Sequence, residues 1–565
     1  MKSFESETFV SRALGIGAFF TTVLVYTSAS DPVNVPKMVV LATLAFGILG
    51  VSLVSLKGAL IFSQPLLSIV IAAFLLFSIL AMVQSDSPFN QNFFGTFGRN
   101  TGFLTYLSLA LVMFVVSTFN VAESFKAIIW ALLIAGFVNV AYCLWVVLFG
   151  DFIGWSNPYK NILGTLGNPN FIGAFLGIFI SVYVAYLLNP KLSVRYKIIG
   201  LIVLIVAFYE VKASHAVQGV VVSAGGIALV GFFFIRSKTK GNLIVNIYTG
   251  LIALVGAISV LGALQIGPLA SIVYKTSVSL RGEYWQAAIN MAKLNPWSGV
   301  GMDSYGDWYR RARDEQAMIL PGPGVVTNAA HNVPLDLLAY GGFPLFFSYL
   351  ALIAISAIAV IKLIFRTREY NWVTIALVVG WTCYHVQSII SINQIGLAIW
   401  GWIFNGAVIA YERSSRSLPS SEAGASKKFR KPLKSKEQVV SPQLVFGLIG
   451  AVGFAISFPA FNSDYQYRKA LTSGQSASVE KALTSSYMTP TNSRFLVEVS
   501  GTFANSNLPD LAQKYAREGA KFNPDYFDNW RLIYSLPKST PEEKIEAKRN
   551  MIRLDPLNEE WKLLP

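Results

Sequence analysis

A histidine–asparagine pair is the feature of this chain best suited to acid–base chemistry. The stretch TNAAHNVPLDLLAYGGFPLFF (327–347) contains His331, one of three histidines in 565 residues, followed directly by Asn332. An imidazole, with an ordinary pKa near ~6.5, can take a proton from a hydroxyl at neutral pH. Considered alone, the pair fits a helix cap or a headgroup-level side chain better than a catalyst. Asn332 either orients the ring or caps the following helix.

Two arginines occur in segments that suit a phosphate ligand. Arg99 lies among glycines in GTFGRNTGF (95–103), and glycines allow backbone amides to approach an anion. Arg281 begins the amphipathic text RGEYWQAAINMAKLNP, a helix that could lie along a membrane surface. A guanidinium there can make bidentate contacts with phosphate oxygens. An arginine that touches lipid headgroups is the alternative for Arg99.

Two further segments combine helix-capping and cationic residues. Asn168 and Asn170 open an apolar run, where they can cap helix amides or mark a helix terminus aimed at an anion. Lys212 and His215 give a short turn cationic character, and Lys212 is an available partner for the neighbouring Glu210. Capping and a structural ion pair explain these residues equally well.

The sequence predicts no metal site and no other cofactor. The histidines lack metal-ligand spacing, and Cys143 and Cys383 lie alone inside apolar runs. No nucleotide-binding fingerprint is present.

Composition predicts an all-α, polytopic membrane protein. Hydrophobic residues make up 54% of the chain and charged residues 13%. Apolar runs near the ~20 residues needed to span a bilayer recur about thirteen times. These spans are 12–30, 37–55, 64–84, 103–119, 124–148, 169–189, 195–211, 216–235, 244–264, 341–362, 370–390, 393–411 and 442–461.

The basic residues predict the orientation of these spans. The net charge of +15 collects in short loops around 191–197, 236–240 and 362–368 and in the linker 412–441, all on one side. We therefore expect a cytoplasmic N-terminus and an extracytoplasmic C-terminus in a bacterial cytoplasmic membrane. This distribution argues against nucleic acid as a partner. Ser28-Ala29-Ser30 resembles a signal-peptidase site, but an uncleaved first helix is the preferred interpretation because many spans follow.

The chain divides into a membrane domain (1–411), the basic linker, a last span (442–461) and a small helical domain (462–565). The membrane domain includes an outside loop of about 75 residues (265–340), too long for a passive connector. In the C-terminal domain, Pro524 and Pro556 close similar helical texts 32 residues apart, near the tetratricopeptide period of 34. We expect such a domain to bind a protein partner or an acceptor.

The ordered motifs of residues 60–410 resemble the O-antigen ligase and polymerase superfamily of bacterial membrane glycosyltransferases. The resemblance rests on R-x-x-x-W from Arg281, then PWSGVG (296–301), AHNVPLD (330–336) and a Gly-Gly turn into a span.

This resemblance implies a glycan donor carried on undecaprenyl diphosphate, with membrane lipids around it and no metal. It implies that His331 is the base that activates the acceptor hydroxyl, with inversion at the anomeric carbon. It also implies that Arg281 holds the diphosphate and that Arg99 takes part in the same site. Many ligases carry a second phosphate-binding arginine in a Ser-Arg pair, whereas this chain has Ser214-His215. Either Lys212 compensates, or the donor is held differently.

The leading hypothesis is en bloc transfer of a glycan to a glycan, lipid or protein acceptor outside the cytoplasm. A polymerase of the same superfamily is the nearest alternative. A lipid or polysaccharide transporter is more distant, since the sequence has few charges inside its spans and no convincing repeat of spans. A receptor or scaffold would leave the long loop unexplained.

Overall fold

The computed structural model describes residues 2–56, 64–155, 157–263, 266–267, 276–416 and 440–565. Throughout these ranges the regular structure is helical and no strand forms, which confirms the all-α fold class. The helices that overlap the thirteen predicted spans are α1 (Lys2–Val23), α2 (Asn34–Leu56), α3 (Pro65–Val83), α5 (Phe103–Val116), α6 (Ala122–Phe149), α7 (Pro169–Leu187), α8 (Val194–Ala213), α9 (Val217–Lys238), α10 (Leu243–Ala263), α14 (Val333–Arg366), α15 (Trp372–Ser388), α16 (Ile395–Arg416) and α17 (Pro442–Ser473).

Nine helices in the described ranges are long and apolar enough to cross a bilayer. The fifth helix is apolar but shorter, at 14 residues. The chain is therefore a multi-pass membrane protein. Most of the basic linker, residues 417–439, lies outside the described residues.

The two ends of the helix bundle differ in what they carry. At one end, Arg366 forms a 2.7 Å ion pair with Glu412, and Arg413 donates to the carbonyl of Phe119. Glu7 of α1 accepts the backbone N–H of Val121 at this same end, which we call the basic end. The C-terminal domain lies at the opposite end, called the domain end. The start of the first helix and the C-terminal domain are thus on opposite sides of the bundle.

A break in α14 explains the glycine-rich motifs of the long loop. Gly341 and Gly342 have non-helical dihedral angles, so the carbonyls of the preceding turn are free to bond elsewhere. The carbonyl of Ala339 accepts the N–H of Val300 at 2.9 Å, and a Cβ on Gly299 would lie 2.4 Å from that same oxygen. The PWSGVG motif therefore fits against the break because its glycines allow backbone to meet backbone.

The long loop forms three helices: α11 (Thr276–Leu294), α12 (Tyr305–Ala312) and α13 (Glu315–Ile319). The apolar face predicted for α11 is present, but it packs against protein instead of lying on a membrane. Ala288, Met291 and Ala292 are at most 1% exposed, and Ala288 and Met291 belong to the main hydrophobic core.

The C-terminal domain has its own hydrophobic core. Its helices are the outer part of α17, then α18 (Ser476–Leu483), α19 (Ser493–Asn505), α20 (Pro509–Phe522), α21 (Phe527–Ser535), α22 (Pro541–Leu554) and α23 (Glu560–Leu563). Helices α19 and α20 pack as one antiparallel pair, and α21 and α22 pack as a second. The first helix of the first pair starts at Ser493, and the first helix of the second pair starts at Phe527. The tetratricopeptide assignment stays a prediction.

Buried ion pairs attach this domain to the long loop. Asp555 accepts from Arg310 at 3.1 Å and from Arg313 at 2.6 Å, and the side chains of Arg313 and Asp555 are fully buried. Beside them, Arg311 bonds to Asp525 at 3.0 Å. The arginines come from α12 and the residue after it, so the loop and the domain form one body at the domain end.

We expect Asp555→Asn to destabilise the protein, because the substitution leaves buried guanidinium charge unpaired, at a cost of about 3 kcal/mol. The midpoint of thermal unfolding in detergent should fall. Asp510→Asn is the matched control, since Asp510 pairs with Lys538 but its side chain is 82% exposed. An equal shift for both variants would contradict the buried attachment.

Candidate active site

A cavity of about 830 Å³ opens at the domain end and collects most of the residues singled out from the sequence. The short α1–α2 connection, the 95–102 loop, the 154–171 segment, α11 and the 326–331 segment all contribute to its walls. The predicted residues that line it are Arg99, Asn168, Asn170, Arg281 and His331. A cavity of this size with a few converging charged groups is typical of a ligand site.

His331 is held in a defined orientation. Its backbone has a φ of 57°, and its Nδ1 lies 3.2 Å from the carbonyl oxygen of Ala329. Because a carbonyl can only accept, Nδ1 carries the proton in this bond, which leaves the lone pair on Nε2. The ring also packs on Tyr284, with centroids 5.5 Å apart.

The surroundings of His331 keep the imidazole neutral. Burial lowers the pKa of His331 to about 4, and the nearby charges of Arg99 and Arg281 add to this effect. At neutral pH the ring is therefore unprotonated and able to accept a proton.

Arg281 comes from α11, one turn before Tyr284, so the helix presents both residues to the cavity. Because Tyr284 packs on His331, the same helix face orients the imidazole and supplies a cation beside it.

A buried carboxylate positions the loop that carries Arg99. Asp303 accepts the backbone N–H of Thr96 at 2.8 Å and that of Thr101 at 3.3 Å. Its other oxygen accepts the hydroxyl of Tyr340 at 3.1 Å. The guanidinium of Arg99 then donates to the side chain of Asn328, three residues before His331.

Two of the three predicted asparagines line the cavity, and the third only caps a helix. Asn332 caps α14 by accepting the N–H of Leu335, and it does not line the cavity. Asn168 caps α7 by accepting the N–H of Asn170, and both residues line the cavity. The N-terminus of α7 thus lies at the cavity wall.

Lys212 and His215 lie outside this wall. Both are exposed, Lys212 in the last turn of α8 and His215 on the turn that follows it, and neither is among the residues that line the cavity. Their predicted contact with the donor diphosphate remains a prediction. The ion pair considered for Lys212 does not form: both carboxylate oxygens of Glu210 are buried without a hydrogen-bond partner in the described part of the chain.

Several further polar residues line the cavity and were not found from the sequence, and three of them carry charged or unpaired groups. Arg468, on the outer part of α17, adds a third arginine among the described lining residues. Asp31 is 6% exposed, and one of its carboxylate oxygens has no hydrogen-bond partner among the described residues. Asn393 contributes a buried amide nitrogen that likewise has none. No sequence signal pointed to these residues, because each is remote in the chain from the predicted motifs.

Within the described ranges, no three His, Cys, Asp or Glu side chains come together in a way that could hold a metal ion. The cavity wall presents the imidazole of His331, three guanidinium groups, several amides and the carboxylate of Asp31.

The fold and this cavity define a multi-pass helical membrane protein with a cationic site at one end of its bundle. Residues 213–350 match the sequence model of a family described as O-Antigen ligase. The match contains Arg281, His331 and the glycine break of α14. It supports the O-antigen ligase superfamily and a membrane glycan ligase- or polymerase-type activity. No curated protein matches the chain.

We expect Asp303→Ala to loosen the 95–102 loop, since buried N–H groups lose their acceptor at a cost of ~1–3 kcal/mol each. Hydrogen exchange measured by mass spectrometry should accelerate at least about tenfold in peptides that cover Thr96 and Thr101. Tyr340→Phe removes only the hydroxyl donor and should have a smaller effect. Unchanged exchange in the Asp303→Ala protein would show that the carboxylate does not hold the loop.

Proposed function

We propose that this protein is a glycosyltransferase that moves a glycan from undecaprenyl diphosphate to an acceptor hydroxyl on the outer face of the bacterial cytoplasmic membrane. The observation that carries the proposal is the position of a neutral, oriented His331 beside Arg281 and Arg99 in one cavity. The domain end faces outward in this proposal, because basic residues gather at the other end of the bundle.

In the proposed reaction, Nε2 of His331 takes the proton of the acceptor hydroxyl while its oxygen attacks the anomeric carbon of the donor sugar. A new carbon–oxygen bond forms as the bond between that carbon and the phosphate oxygen breaks, with inversion. The electron pair leaves with undecaprenyl diphosphate. The Ala329 carbonyl stabilises the imidazolium through the Nδ1 proton, and the proton on Nε2 passes to solvent after the acceptor has reacted.

The arginines stabilise the negative charge that grows on the departing diphosphate. Arg281 and Arg99 are close enough to lower the pKa of His331, so an anion bound near them is also close to the base. The N-terminus of α7 adds backbone amides and a positive helix dipole to the same wall.

Replacement of the two central side chains tests the proposal directly. In an assay with purified protein and a defined undecaprenyl-diphosphate glycan, we expect His331→Ala to lose ~10²–10⁴-fold in rate. Arg281→Ala should lose ~10²–10³-fold, with partial recovery in Arg281→Lys. Arg368→Ala, an exposed change at the basic end, is the control for loss of an arginine. Full transfer by the His331→Ala protein would overturn the base assignment.

The products of this assay also separate two activities. A ligase moves glycan from the lipid carrier to a separate acceptor, whereas a polymerase lengthens the glycan that stays on the lipid.

The pH dependence should reveal the base. In the protein without substrate, the pKa of His331 is about 4. We therefore expect kcat/KM for the donor to stay level from pH 7 down to about 5 and to fall as the pH approaches 4. A bound diphosphate offsets the arginine charges, so the acid limb of kcat should lie at higher pH. Arg99→Gln should move the kcat/KM limb upward as well. A kcat/KM limb at the ordinary pKa of ~6.5 would contradict this environment.

A further inference from the structure

A second cavity, of about 400 Å³, lies beside the first at the domain end. Its walls come from the 90–100 segment, from the long loop between 306 and 328, and from the C-terminal domain between 490 and 528. Val326, Thr327 and Asn328 line both cavities, so this short segment separates them. Because the C-terminal domain forms part of this wall, it lies next to the candidate active site.

Two residues that line this cavity carry a buried polar atom without a hydrogen-bond partner in the described part of the chain. The side-chain oxygen of Asn100 and the hydroxyl of Thr491 form no hydrogen bond with any described residue. Both residues are 7% exposed, and both line the cavity. An unsatisfied buried polar group costs ~1–3 kcal/mol, so a rotation of either side chain toward a ligand hydroxyl in the cavity would be favourable.

The rest of the wall suits a sugar chain. Asn90 and Asp528 offer further amide and carboxylate groups, and Phe97 and Tyr526 offer aromatic surface. Amides and carboxylates hydrogen-bond to ring hydroxyls, while aromatic rings pack against the apolar face of a sugar. An acyl chain would leave the polar atoms unsatisfied.

We propose that this second cavity binds sugar units of the acceptor glycan, remote from the hydroxyl that reacts. This inference rests on the proposed function and deepens it, because it assigns the acceptor class and the direction from which the acceptor enters. A chain held in the second cavity passes the 326–328 segment to reach His331 in the first. The donor and the acceptor then approach the base from different walls.

Two substitutions test the assignment. Thr491→Val keeps the side-chain volume but removes the hydroxyl, and we expect about fivefold weaker acceptor binding. Asn90→Trp places a large side chain in the cavity from α4 (Phe89–Phe94) and should weaken binding more than about tenfold. Thr502→Val and Asn505→Trp are matched controls, since both positions are exposed on α19 and do not line the cavity.

The probe is a set of dye-labelled oligosaccharides released by mild acid from the cell envelope of the source bacterium. Binding to the full-length protein in detergent is measured without donor, together with thermal unfolding. A dye-labelled tryptic peptide mixture from the same envelope is the second probe. The expected result is oligosaccharide binding that both cavity variants weaken and both controls retain. With donor added, KM for the acceptor should rise while KM for the donor is unchanged.

Equal oligosaccharide binding by wild type and both cavity variants would overturn the inference, as would binding of peptides alone. If one cavity variant loses binding and also unfolds at a lower temperature, its loss of binding reflects misfolding. The other variant then tests the inference, together with whether KM rises for the acceptor but not for the donor. These outcomes differ from failure of the proposed function, which would appear as no transfer by the wild-type protein.

Discussion

The buried carboxylate of Asp303 is the interaction on which the geometry of the site depends. It joins the 95–102 loop, the long loop and α14 through N–H groups of Thr96 and Thr101 and the hydroxyl of Tyr340. The 95–102 loop, which carries Arg99, lies about 200 residues before Asp303 in sequence, whereas the long loop, which carries His331, continues directly into α14. A buried, unpaired carboxylate is costly, whereas one with several donors fixes the groups around it. The same hydrogen-bond network therefore holds together the segments that carry Arg99 and His331.

The C-terminal domain belongs to this arrangement and is not a separate appendage. Buried arginines of the long loop bind its Asp525 and Asp555, and Arg468 on the helix that leads into it reaches the main cavity. Neighbouring Asp307 accepts from Gln91 at 2.9 Å and from Asn523 at 3.1 Å, so it links the domain to α4. Burial raises the pKa of Asp307 to about 6, despite these donors. Residues of this domain and of the helix that leads into it therefore contribute to the walls of both cavities.

The sequence predicted the helices well, but it predicted only some of the contacts between their residues. Apolar runs of bilayer length identified the helices because length and hydropathy are local properties. The family resemblance implied that His331, Arg281 and Arg99 share a site, and the structure places all three in the wall of one cavity. Residues such as Arg468 and Asp31 were missed because their role depends on which helix ends meet. Local reasoning also failed where two partners were plausible: Glu210 does not pair with Lys212, and the apolar face of α11 packs on protein instead of lipid. Amphipathic spacing reports that a face is buried, but not against what.

Charge in the main cavity connects donor binding to the strength of the base. An imidazole with a pKa near 4 is neutral at physiological pH but only weakly basic, because burial and two arginines oppose its protonation. In the proposed reaction, a diphosphate bound near those arginines would remove part of their opposition, so the bound donor would increase the affinity of His331 for a proton. Under that proposal the imidazole would become a stronger base when the donor is bound. In the structure itself, burial and the same arginines keep the imidazole unprotonated at neutral pH, so one group of charges would act on both the leaving group and the base.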